Sequence, residues 1–156
     1  MHLVSRRWLG AICLAALLPQ SAMALEPAPR AEATAFCLGV VWSAGQVFAM
    51  RPPLFMTRAD ADLMIAMPDL RARALALTAD RDRLDGTIAP EAQADLRKAG
   101  NATIMRLLGE GGFQAPDYRA LRDACRALGE ALHGTDRAAV ESAYGAALAQ
   151  LARVRQ

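Results

Sequence analysis

The side chains in this chain that could do chemistry are few and far apart. Its three cysteines are Cys13, Cys37 and Cys125, and its two histidines are His2 and His133. Cys13 and His2 fall in an N-terminal segment read below as a cleaved export signal. Cys37 and Cys125 are then an even pair bound for an oxidising space, where a disulfide is the expected state. Only one intramolecular pairing exists for two thiols; two buried thiols or a metal pair are the competing readings. His133 alone cannot build a Ser-His or Cys-His relay unless it serves as the base itself. At a predicted helix end it suits a capping cation instead. The chain has no haem-attachment CxxCH, no HExxH and no glycine loop for phosphate. No catalytic residue is assigned.

Oxygen donors gather in one place. Asp80-Arg81-Asp82-Arg83-Leu84-Asp85-Gly86-Thr87-Ile88-Ala89-Pro90-Glu91 lies between two predicted helices. It begins Asp-x-Asp and ends in Glu at its twelfth position. This spacing resembles the calcium loop of EF-hand proteins, which strings oxygen ligands along such a segment. The resemblance implies Asp80, Asp82, Asp85 and Glu91 as metal ligands and calcium as the ion. It covers these residues only, and it departs from the pattern at Leu84 and in an Asp-Gly step one residue late. The competing reading is a solvated helix end with a glycine stop. Apart from this calcium, no cofactor is expected.

Two other chemistries have some support. Met50, Met56, Met64 and Met67 cluster in sequence, and thioethers suit monovalent copper; gap filling beside Pro68 is the plainer role. Glu110 in Gly109-Glu110-Gly111-Gly112-Phe113 and the nearby Asp117 could flank a cell-wall glycan as acid and base.

The elements that must position these residues begin with the export segment. Arg6 and Arg7 precede an apolar run from Trp8 to Leu18, Pro19 breaks it, and Ala22-Met23-Ala24 is a small-x-small cleavage site. Residues 1–24 therefore read as a secretory signal, and the location as periplasmic or secreted. Trp8-Leu9-Gly10 continues the arginine pair poorly for twin-arginine export, so general secretion is favoured. The chain has 18 basic and 16 acidic residues. Losing Arg6 and Arg7 leaves the mature chain formally neutral, with both signs interspersed. No nucleic-acid footprint remains.

After a short extended leader at 25–31, helix one is expected from about Glu32 to Met50. Phe36 to Met50 is apolar except for Ser43 and Gln46, and a helix apolar on every face belongs inside a bundle. Ala35, Gly39 and Ser43 form a strip of small residues that admits another backbone closely. A membrane span is not expected. Arg51-Pro52-Pro53 stops the helix. Helix two starts near a Thr57 cap, with Leu63, Met67, Leu70, Ala74, Leu77 and Leu84 as its predicted core face. Pro68 within it predicts a kink or a split. Helix three opens at Pro90 and runs to about Leu108 along Leu96, Thr103, Ile104 and Leu107. Helix four opens at Pro116 with Tyr118, Leu121, Cys125, Leu128 and Leu132 as its seam. Helix five, capped by Thr135, presents Val140, Tyr144, Ala147, Leu151 and Val154. The expected fold is all-α: one bundle of four or five helices over 32–156, with helix one central and one disulfide.

With no catalytic set, the expected function is a non-catalytic binding or assembly module outside the cytoplasm, with a protein partner. Leu54, Phe55 and Met56 between helices one and two are the candidate contact surface. Folding of Phe55 back onto the bundle end is the alternative.

Overall fold

Pro27–Met50 forms one helix, α1, and the other described helices pack around it. In this computed structural model the described residues are 27–50 and 58–156, with side-chain surroundings for 28–44 and 70–156. The expected signal at 1–24, the start of the expected leader, the expected Thr57 cap and Leu54, Phe55 and Met56 lie outside them. So do the side chains of Met50, Met64 and Met67, along with Met56. The other helices are α2 (Arg58–Leu84), α3 (Pro90–Gly111), α4 (Pro116–His133) and α5 (Arg137–Val154). Among the described residues there is no strand, and the fold is an all-α bundle.

Every residue from Ala33 to Val41 is buried, so α1 shows water no face over this stretch. It packs against all four other helices, most extensively against α3. The seams of α4 and α5 face it as expected: Tyr118, Leu121, Cys125 and Leu128 are buried, as are Tyr144, Ala147 and Leu151. Cys37 and Cys125 form the disulfide, with Cα atoms 4.9 Å apart across a sequence separation of 88.

The small strip on α1 meets a glycine on α3. An added Cβ on Gly39 would stand 2.0 Å from the Arg97 carbonyl oxygen, and one on Gly100 would stand 2.1 Å from that of Phe36. Each backbone thus rests on the other. Ser43, one turn past Gly39, turns its hydroxyl inward and donates to the Gly39 carbonyl at 2.9 Å.

Several boundaries and faces differ from the sequence reading. α1 starts at Pro27 rather than about Glu32, which replaces most of the extended leader by helix. Pro27 and Pro29 both fall in the first turn, where backbone N–H groups have no intrahelical acceptor to lose. α2 is one helix through Pro68 rather than two. α3 continues past Leu108 to Gly111 and stops at Gly112, whose φ of 72° is left-handed. Asp136, not Thr135, caps α5, its carboxylate accepting from the N–H groups of Ala138 and Ala139. Trp42 is 48% exposed although it sits in the apolar run.

The largest revision concerns α2. Over 70–84, the part of α2 with described side chains, Arg71, Ala72, Leu75 and Ala79 are buried, while Leu70, Leu77 and Leu84 of the predicted core face point outward. The reason is distance. At Gly129 of α4 an added Cβ would meet the Arg71 Cβ at 2.9 Å and its carbonyl oxygen at 3.0 Å. Backbones this close accept the alanine face of α2 and leave no depth for a leucine ridge.

A polar node ties α1 to α5. The hydroxyls of Thr34 and Tyr144 lie 3.1 Å apart, and the Thr34 hydroxyl is 2.9 Å from the Arg30 carbonyl. Arg30 pairs with Glu141 and stacks over the Tyr144 ring at 5.2 Å. Burial raises the pKa of Tyr144, so its hydroxyl stays protonated and able to donate. Tyr144→Phe is expected to lower stability by about 1 kcal/mol, measured by urea unfolding, because it removes a buried hydrogen bond at nearly constant volume. A change within error would mean water replaces that bond.

Candidate functional site

The acidic segment 80–91 is not a loop at its start. α2 carries Asp80 and Asp82 to its end at Leu84, so the first five positions are helical. Residues two apart on a helix do not face each other. Asp80 is exposed, 3.8 Å from Arg83. Asp82 turns toward the bundle, and its Oδ2 is buried without a hydrogen-bond partner. Burial first, and the charge of Asp85 second, raise its pKa. Asp85 and Glu91 are exposed, Glu91 in the first turn of α3. Among the described residues no three His, Cys, Asp or Glu side chains come together to hold a metal ion. Helical register has dispersed the ligand set that the linear spacing implied.

Both carboxylates of the glycan pair are exposed. Glu110 is exposed and bound through both oxygens by Arg106 at 3.1 and 3.0 Å, a helical i,i+4 pair. Asp117 is exposed in the first turn of α4. His133 is exposed in the last turn of α4.

Between α1 and α3 lies an open cleft of about 360 Å³, lined by Trp42, Ser43, Arg97, Lys98 and Asn101 over the Gly39 crossing. The small residues that let the helices touch leave this hollow beside them. Arg97 covers the Trp42 ring at 5.9 Å, so the exposed aromatic face is shared with a cation.

The most unusual surface is the outer side of α2. Leu70, Leu77 and Leu84 are 43%, 71% and 75% exposed. They are seven residues apart, and at 100° per residue such positions drift by only about 20° per step. They make one ridge, roughly opposite the buried Leu75. Ala74 flanks the ridge on one side, and Arg73 and Asp80 flank it on the other. Leucine every seventh residue on one helix face is half of a coiled-coil seam. The sequence showed this spacing plainly, yet it reads equally as a core face. What the sequence withheld is that α2 uses its other side for packing.

The chain matches no protein-family model, no curated protein and no solved structure. Its surfaces therefore carry the functional argument alone. No helix among the described residues is long and apolar enough to cross a membrane.

Proposed function

We propose that this chain is a non-catalytic assembly module acting outside the cytoplasm, and that it assembles with a second copy of itself through the α2 ridge. The observation that carries the proposal is the exposed row Leu70, Leu77 and Leu84. An apolar stripe at heptad spacing on a helix already packed on its opposite side has a second surface to cover. The export signal in the sequence and the disulfide support the location. Leu54, Phe55 and Met56, the contact surface expected from the sequence, lie outside the described residues.

Charge selects the occupant and its direction. Arg73 and Asp80 stand one heptad apart on the same edge of the ridge, with opposite signs; both already interact within their own chain, Asp80 with Arg83, so a partner would extend these contacts. An antiparallel copy brings Arg73 beside the partner's Asp80, and two-fold symmetry repeats the pair. A parallel copy would instead set Arg81 against the partner's Arg81 and bring Asp80 near the partner's Asp85.

Sedimentation equilibrium tests this. The native chain is expected to dimerise, and Leu77→Glu to weaken the dimer at least about a hundredfold, because a carboxylate would have to be buried unpaired. Leu77 is exposed in the subunit, so the variant keeps its fold. Arg73→Asp weakens the dimer, and Arg73→Asp with Asp80→Arg restores it. A native chain that stays monomeric at high micromolar concentration overturns self-assembly; equal dimerisation of native and Leu77→Glu chains removes the ridge as the surface.

A further inference from the structure

On the side of α2 away from the ridge, a guanidinium is buried without enough partners. Arg71 is 8% exposed, packed against Gly129 of α4. Its Nη2 donates to Glu130 at 3.2 Å. Its Nε and Nη1 are buried with no hydrogen-bond partner. Native interiors rarely leave such donors unmet, least of all charged ones. Glu130 supplies one long bond from an exposed side chain, a partial answer to a buried cation.

Two more arginines approach along α4. Arg126 and Arg122 stand one and two turns before Glu130, at the i,i+4 spacing that makes helical neighbours. Both are half-buried. Arg122 is held by Asp123 at 2.8 Å and lies over the Tyr118 ring at 5.6 Å. The Tyr118 hydroxyl is also buried, with the Arg122 guanidinium beside it. Burial first, and then the charges of Arg71 and Arg122, lower the pKa of Arg126, against the opposing charges of Asp123 and Glu130. Three guanidiniums thus share two carboxylates, Glu130 and Asp123, both largely exposed.

We propose that the α2–α4 seam binds an oxyanion, a carboxylate or a phosphate group, with Arg126 and Arg122 at its rim and Arg71 and the Tyr118 hydroxyl beneath. Arginine forks match both oxyanions in shape and charge, and a phenol hydroxyl adds a neutral donor. Entry is from the rim, where the half-buried side chains can part. The site does not depend on the leucine ridge, which lies on the other face of α2.

The experiment titrates the full chain with sodium phosphate and with sodium acetate, each against sodium chloride at matched ionic strength. Melting temperature and the arginine Nε–Hε NMR signals are followed. One oxyanion is expected to raise the melting temperature and to move the Arg71 signal saturably, while chloride does neither. The stronger of the two responses assigns phosphate or carboxylate. Arg126→Gln weakens the response about tenfold or more. Arg122→Gln is the second rim variant should Arg126→Gln fail to fold by circular dichroism. Arg119→Gln, an exposed arginine of α4, leaves the response intact. Equal, unsaturating effects of all three salts, or an undiminished response in the folded rim variants, overturn the site.

Discussion

Replacing Cys37 and Cys125 together by alanine is expected to lower stability by about 2–5 kcal/mol. The bridge closes a loop across a sequence separation of 88, so its loss frees the unfolded chain from a large constraint. Both sulfurs are fully buried between α1 and α4, so the native state also loses packed volume. For a domain of this size the melting temperature should fall by roughly 10 °C. Differential scanning calorimetry of the oxidised, reduced and double-alanine proteins separates the two parts. Reduction reports the cross-link with little change in volume, and the alanine pair adds the cavity. A reduced protein that melts within a degree of the oxidised one would show that the bridge contributes nothing.

Gly39→Ala and Gly100→Ala should each destabilise by about 2–4 kcal/mol, against the helix propensity of alanine, which favours the change by about 1 kcal/mol. At both sites the obstructing atom is a backbone carbonyl oxygen, 2.0 and 2.1 Å from the new Cβ. No rotamer can relieve that contact, so α1 and α3 must move apart and loosen the core between them. Gly145→Ala is the internal control. Nothing lies within 4 Å of its added Cβ, and it should stabilise α5 by up to about 1 kcal/mol. The Gly39→Ala and Gly100→Ala pair should be less than additive, because one separation accommodates both methyl groups. Urea midpoints for the four variants check the sign, the size and the coupling. Tolerance of alanine at either crossing site would mean that the helices do not approach this closely.

The anatomy of the bundle can be traced to particular residues. α4 and α5 carry one apolar stripe each, so their core faces were legible. Ala35, Gly39 and Ser43 announced a close helix crossing, though nothing in the linear order named Gly100 as its partner. Asp80, Asp82, Asp85 and Glu91 looked like a ligand set because spacing along a chain does not report where a helix ends. Once α2 runs to Leu84, the first two carboxylates diverge.

α2 is the hardest case, and it bears most directly on function. It has an alanine side containing Leu75 and a leucine side, and either could cover a core. Hydrophobicity favours the leucines; the backbone approach at Gly129 favours the alanines. Arg71 gave no sequence signal at all, since an arginine in Leu70-Arg71-Ala72-Arg73-Ala74 reads as surface.

By itself the sequence determined the all-helical class and the central place of the apolar run, and it pointed to Cys37 and Cys125 as the expected pair. These follow from composition and periodicity, which act locally along the chain. Tertiary structure alone decided which side of α2 faces in, where the acidic residues end up, and that Arg71 is enclosed. Those outcomes depend on how near two backbones come, and that distance is set jointly by residues far apart in the chain.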